Sequence, residues 1–241
     1  MALSKFSRFI FHFCFLDAIN EKIEGKFLQI LEGELEKSDK TPNGDTIAYI
    51  QATRQCFMMQ SGKEALDLMA KSERIRSDIE QAKNYRLEIC IILREWKLMD
   101  SSMEFRSFVF KGKLNAVSQY CYYQYYPQMI QKKDKIEESV KNLFEKFKPH
   151  MKFENAIIDF YVEEKEGEMK SEIIELNPWF SDTSACLFDW SKDVRQLKEG
   201  PFVFKVIEFP LQDCYDCLPI NWKRWFLDLR TKKEENNCIV N

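Results

Sequence analysis

Glycine is scarce in this sequence, with seven residues among 241, and histidine scarcer still, with two. These shortages exclude whole classes of chemistry. There is no Gly-x-x-x-x-Gly-Lys-Ser/Thr loop, no Gly-x-Gly-x-x-Gly turn and no Gly-x-Ser-x-Gly elbow, so no backbone loop built to cradle phosphates and no strained turn for a nucleophile. A nucleotide, if bound, has to be held mostly by side chains. His12 and His150 support neither a Ser/His/Asp nor a Cys/His arrangement. Charge of one sign is also lacking: 36 basic and 39 acidic residues leave a net −3. No global field favours nucleic acid or an anionic membrane. The most apolar stretch, Phe6 to Leu16, falls short of the roughly 20 residues that span a bilayer. It reads as a core strand or docking segment.

Eight cysteines are present: Cys14, Cys56, Cys90, Cys121, Cys186, Cys214, Cys217 and Cys238. Most sit inside apolar segments, as buried free thiols do, and no secretory leader is recognised that would favour a disulfide framework. Cys214 and Cys217 have two-residue spacing, but a zinc site needs four ligands and no second pair accompanies them. Structural thiols are the expectation.

An apolar content of 45% with 31% charged residues is that of a globular protein. Ile19, Ile23, Phe27, Ile30, Leu31 and Leu35 mark an amphipathic helix over Asp17 to Glu36. Lys37 to Asp45 reads as a polar loop and the best boundary. Ser61 and Glu64 form a capping box that opens a helix with the stripe Ala65, Leu68, Met69, Ile75 and Ile79. Leu87 to Leu93 reads as a buried strand. Glu104 to Phe110 and Leu114 to Tyr120 form a hairpin about Lys111-Gly112-Lys113. Pro127 stops a tyrosine-rich run, and a helix follows through Ile136, Val140, Leu143, Phe144 and Phe147. The tail holds a strand-like Phe202 to Phe209 and the aromatics Trp222, Trp225 and Phe226. This order predicts an α+β fold, a mostly antiparallel sheet covered by helices.

The chemistry concentrates in a second hairpin. Ala156 to Val162 and Lys170 to Asn177 read as strands joined by a polar loop containing Gly167. Alternation places Ile158, Phe160 and Val162 on one face and Asp159 on the other; Glu175 and Asn177 share a face in the partner strand. A loop centred on Gly167 sets Asp159 opposite Glu175. Like charges so opposed destabilise a sheet, and a hard cation with oxygen ligands removes the penalty. Asp159, Glu175 and Asn177 are therefore candidate ligands of a magnesium ion serving a nucleoside triphosphate. The alternative is a solvated outer face in another register.

Several segments together resemble the cell division cycle protein 123 family, a divergent branch of the ATP-grasp fold: Ile92-Leu-Arg-Glu-Trp96, Met103-Glu-Phe-Arg-Ser-Phe-Val109, Ser118-Gln119, Tyr123-Gln-Tyr-Tyr126, Ile158-Asp-Phe-Tyr161 and Ile174-Glu-Leu-Asn-Pro178. No single motif is specific, but all six keep their order from about Leu87 to Trp190. The resemblance implies an ATP- and Mg²⁺-binding, cytoplasmic assembly factor of eukaryotic translation initiation factor 2 that docks on its gamma subunit, without nucleic acid, membrane or turnover. Asp159, Glu175 and Asn177 match the family's metal-binding Asp, Asp and Asn, with Glu as a longer substitute. Arg94, Glu95, Trp96 and Lys97 match the adenine hinge. Arg106 would pair with phosphate oxygens, and Glu104 and Gln119 fall near ribose or phosphate.

The implied organisation is a divergent helical segment at 1–45, an ATP-grasp-like domain at 46–230 with its N-terminal lobe incomplete, and a polar tail at 231–241. The family's lysine-bearing first lobe is replaced by Met1 to Asp45, where Lys26 and Lys40 are the available lysines. Blander readings pair Arg94 with Glu95 or Glu104, put Trp96 in the core, and use the tyrosines for packing. Two other functions stand beside the first: a protein-binding module with a degenerate nucleotide site, and an ATP-dependent ligase acting through an acyl phosphate.

Overall fold

The computed structural model describes residues 21–86, 88 and 95–239. The expected segments Phe6 to Leu16 and Leu87 to Leu93 therefore lie outside the described residues, apart from Glu88, which is in neither helix nor strand. The chain divides into two compact units, one of residues 1–33 and 51–99, the other of 34–50 and 100–241.

Helices α1 (Glu21–Lys37), α2 (Pro42–Cys56), α3 (Gly62–Lys71) and α4 (Glu73–Asn84) come first. The stripe of Phe27 and Leu31 is fully buried on α1, as its spacing predicts. Ser61 caps α3 by accepting from the Glu64 N–H at 3.2 Å, while the Glu64 carboxylate reaches back to the Gln60 N–H at 2.9 Å. The expected single helix through Ile79 is broken at Ser72, whose hydroxyl caps α4 at the Ile75 N–H, 3.2 Å away. The expected loop over Lys37 to Asp45 is also corrected. Only residues 38–41 connect, and Thr-Pro-Asn-Gly-Asp opens α2 because Pro42 occupies its first position, where no N–H is required.

The sheet belongs to the second unit. Its strands are β1 (Glu104–Phe110), β2 (Lys113–Gln119), β3 (Ala156–Lys165), β4 (Glu168–Asn177) and β5 (Val203–Lys205), in the order β4-β3-β1-β2-β5. All pairs are antiparallel except β2 with β5, which agrees with the α+β, mostly antiparallel expectation. β5 is far shorter than the strand-like Phe202 to Phe209.

Helix α5 (Pro127–Phe147) packs against β3 and β4 and buries Met129, Ile136, Val140 and Phe144. On the opposite face of the sheet, Phe108, Ala116 and Ile157 pack with Phe188 and with Leu197 of α6 (Val194–Glu199). Trp179 and Trp190 close over this cluster with ring centroids 5.5 Å apart. Helix α7 (Ile220–Ile239) follows. Among the described residues no helix is long and apolar enough to cross a membrane.

Candidate metal and phosphate site

Strand β3 and the edge strand β4 place the site through their register. Asp159 on β3 is paired with Glu175 on β4, as the hairpin reading requires, but the route differs. The turn is Glu166 and Gly167, both at positive φ (55° and 81°), directly between Lys165 and Glu168. Such a two-residue turn alone would set Asp159 opposite Ile174. A bulge between Asp159 and Phe160 leaves Ile174 as the extra residue and brings Glu175 across instead. Asp159 and Glu175 are 1% and 8% exposed, so the solvated-face alternative is ruled out.

The same register runs across the whole sheet. Glu175, Asp159, Arg106, Ser118 and Lys205 are successive partners on β4, β3, β1, β2 and β5. Directly paired residues share a face, so the sheet carries one polar rung, acidic at one end and basic towards the other. It lies beside the apolar rung Ile157, Phe108, Ala116 and Val203. The periodicity of single strands cannot show this, because it arises only when five separate segments come into register.

Arg106 grips Asp159 with a two-pronged fork: Nε donates to Oδ1 at 2.8 Å and Nη2 to Oδ2 at 2.7 Å. Its remaining nitrogen, Nη1, donates to the Ser184 carbonyl at 3.0 Å, and the guanidinium lies over the Tyr120 ring, 4.8 Å from its centre. Burial works against the Arg106 charge, but the Asp159 hydrogen bonds and charge outweigh it and raise its pKa. Desolvation likewise pushes the Tyr120 hydroxyl well above its usual range. Asn177 donates from Nδ2 to Glu175 Oε1 at 2.8 Å and to Asp159 Oδ2 at 3.2 Å. Burial first, then the Asp159 charge, pushes the Glu175 carboxyl up to about 7. Two carboxylates within reach of one another are thus held together by a guanidinium, an amide and a reluctance of one acid to ionise.

Chemically, three oxygen-bearing side chains converge from adjacent strands, and hard divalent cations take such donors. The Asn177 amide fits as well, since turning it over presents its carbonyl where its NH₂ now bridges the two acids. Among the described residues there is no group of three or more His, Cys, Asp or Glu able to hold a metal; the candidate set is two carboxylates and an amide.

The other expected residues fall as follows. Glu104 is buried at the start of β1, paired with Tyr161. Gln119 sits at the end of β2 and spends its amide on the backbone: Nε2 donates to the carbonyls of Cys121 and Gln124 at 2.6 and 2.5 Å, and Oε1 accepts from Ile207 N–H at 2.9 Å. Arg94 lies outside the described residues. Glu95, Trp96 and Lys97 are irregular backbone in the first unit, and Trp96 is 41% exposed, so the core reading of it is corrected. Lys26 is exposed on α1, and Lys40 (φ 60°) donates to the Leu35 carbonyl.

Sequence reasoning missed Tyr120, Ser118, Lys205 and the Ser184 carbonyl. Ser118 Oγ accepts from the Leu187 N–H at 3.0 Å, and Lys205 Nζ donates to Asp193 at 3.1 Å. These contacts fasten the 179–193 segment over the rung. No local pattern announces them, because each joins residues more than ten positions apart. Among the described residues Cys56, Cys121, Cys186, Cys214 and Cys217 are free thiols. Burial pushes Cys186 and Cys217 up to about 12.

The family model described as D123 matches residues 45–210. The chain is 31% identical to a Xenopus laevis protein named translation initiation factor eIF2 assembly protein, over 52% of this chain and 35% of that one. It is 30% identical to a Xenopus tropicalis protein of the same name, over 60% and 45% respectively. The chain thus spans less than half the length of these relatives. C-terminally truncated Cdc123 from Schizosaccharomyces pombe shares the fold at 21% identity and a TM-score of 0.50, covering 62% of this chain and 63% of that one.

Proposed function

This chain belongs to the D123 family, and from that premise we propose that it is an ATP- and magnesium-binding factor in the assembly of eukaryotic initiation factor 2, docking on the gamma subunit. The observation that carries the nucleotide half is the convergence of Asp159, Glu175 and Asn177 beside the buried cation Arg106. The relatives' printed names support the assembly half. The cytoplasm is the expected compartment, and an ATP-grasp-like mode of nucleotide binding is part of the same proposal.

Asp159, Glu175 and Asn177 would hold magnesium, which would supply positive charge to offset the carboxylates and attract phosphate. The chain's own residues do the rest. Asp159 and Glu175 offer charged oxygens from rigid strands, and Asn177 turns its amide to add a neutral one. Glu175 would hold the metal as its carboxylate, since metal ligands must be deprotonated. Arg106 presents a planar fork suited to phosphate. Binding alone stabilises the folded state by mass action, which is sufficient for an assembly factor.

Isothermal titration with ATP, with and without Mg²⁺, tests the reading. Micromolar, magnesium-dependent binding that disappears in Asp159→Ala is expected. Absence of binding in the wild type, or an Asp159→Ala variant with unchanged affinity, overturns it. One observation favours a second reading, a protein-binding module with a degenerate site: Arg106 already satisfies both Asp159 oxygens. That reading predicts partner binding indifferent to ATP and to EDTA.

A further inference from the structure

We infer that Arg106 makes cation binding at Asp159 conditional on an oligophosphate: the site accepts a divalent cation as its oligophosphate complex and turns away the free ion. This rests on the nucleotide reading above and adds a selectivity to it.

The two Arg106 contacts, at 2.8 and 2.7 Å, take one in-plane position on each Asp159 oxygen, and Asn177 at 3.2 Å takes a second on Oδ2. One position on Oδ1 stays open, but a cation taken up there would stand beside the guanidinium, two like charges at a buried carboxylate. The fork must leave for the metal to enter.

Arg106 has little freedom to leave on its own. It is 5% exposed, lies over Tyr120 and is held by the Ser184 carbonyl. Deprived of Asp159, it is a buried cation left with a neutral carbonyl, the Tyr120 ring and a Glu175 carboxyl that resists ionisation, a costly state. Adding a dication beside Arg106 also sets a second positive charge in a buried site. An anion with several charged oxygens cures both faults at once. It takes the fork in the same bidentate geometry and arrives already attached to the metal. A free dication offers neither remedy. By reciprocity, the oligophosphate and the cation each raise the other's affinity by the same factor.

The test uses the full chain and manganese, followed by water proton relaxation, which separates protein-bound from solution manganese. Free Mn²⁺ should bind the wild type weakly, and tripolyphosphate or ATP should tighten it by about tenfold or more. In Arg106→Gln, free Mn²⁺ should bind about tenfold more tightly than in wild type, with the coupling to tripolyphosphate reduced to near one. The wild-type coupling needs no variant, so it decides the matter even if Arg106→Gln does not fold. Arg106→Lys, which keeps the charge and loses the fork, should retain weak free-ion binding with weakened coupling. Equal Mn²⁺ affinity with and without oligophosphate in the wild type overturns the inference while leaving the nucleotide reading intact. Parallel loss of metal and oligophosphate binding in a folded Arg106→Gln does the same. No binding of ATP under any metal condition overturns the nucleotide reading, and the inference with it.

Discussion

At the scale of single residues, Glu175 sets a pH dependence whose sign follows from its environment. Its carboxyl is pushed up from an ordinary 4.5 to about 7, by burial and then by Asp159. Between these values the folded chain holds a proton that the unfolded chain releases. Stability therefore falls as pH rises from about 4.5 to about 7 and levels off above. The melting temperature of the ligand-free protein should drop across that window in scanning calorimetry. Glu175→Gln, which keeps the shape and cannot ionise, should flatten this part of the profile. Magnesium–ATP binding should show the opposite trend, gaining strength as pH rises through 7, because the ligand form is the carboxylate. A wild-type profile already flat between 5 and 7 would remove Glu175 from the account. The charge opposition itself was legible in the sequence through a loop centred on Gly167, although a bulge after Asp159, not the turn alone, brings Glu175 across. That Arg106 would neutralise Asp159 was not, since 53 residues separate them and only the β1–β3 register joins them.

At the scale of elements, α2 and α7 are bound through one buried acid. Asp45, in the first turn of α2 and 1% exposed, accepts from Arg230 Nε at 2.7 Å and Nη2 at 2.5 Å, and from the Tyr215 hydroxyl at 2.6 Å. Tyr215 stacks on Phe226, ring centroids 5.7 Å apart, and Tyr49 of α2 lies 5.8 Å from Trp222. Removing the guanidinium strands a buried carboxylate, so Arg230→Ala should cost about 3 kcal/mol or more. Tyr215→Phe forgoes one of three hydrogen bonds and should cost about 1 kcal/mol. Urea melts of the two variants check the ranking; a smaller loss for Arg230→Ala than for Tyr215→Phe would contradict it.

This clasp shows why parts of the fold escaped sequence reasoning. Asp45 sat in what reads as a turn, because Pro, Asn and Gly are turn residues in isolation. Tertiary partners, Tyr215 and Arg230 of α7, 170 and 185 residues away, favour helix there instead. The hairpins and α5, by contrast, carry their own periodicity and turns and were readable.

At the scale of the whole molecule, the question is whether the nucleotide site and the partner surface act together. On the polar rung Asp159, Arg106 and Lys205 are ion-paired, Ser118 is bonded to backbone and Glu175 to the Asn177 amide, which leaves ligand energy little there to reshape. A bound magnesium nucleotide would act chiefly by adding stability, about 2.7 kcal/mol at a hundredfold excess over its dissociation constant. A partner that recognises the ordered form then gains affinity in step with the ligand. Capture of isolated initiation factor 2 gamma subunit by the full chain should therefore weaken when EDTA removes the metal. It should weaken equally in Asp159→Ala without EDTA, and EDTA should then add nothing, because both act on one site. Capture that withstands EDTA and Asp159→Ala alike would instead place the partner surface outside the site's influence. The chain would then act as a docking module whose Arg106–Asp159 pair serves only to fill the sheet.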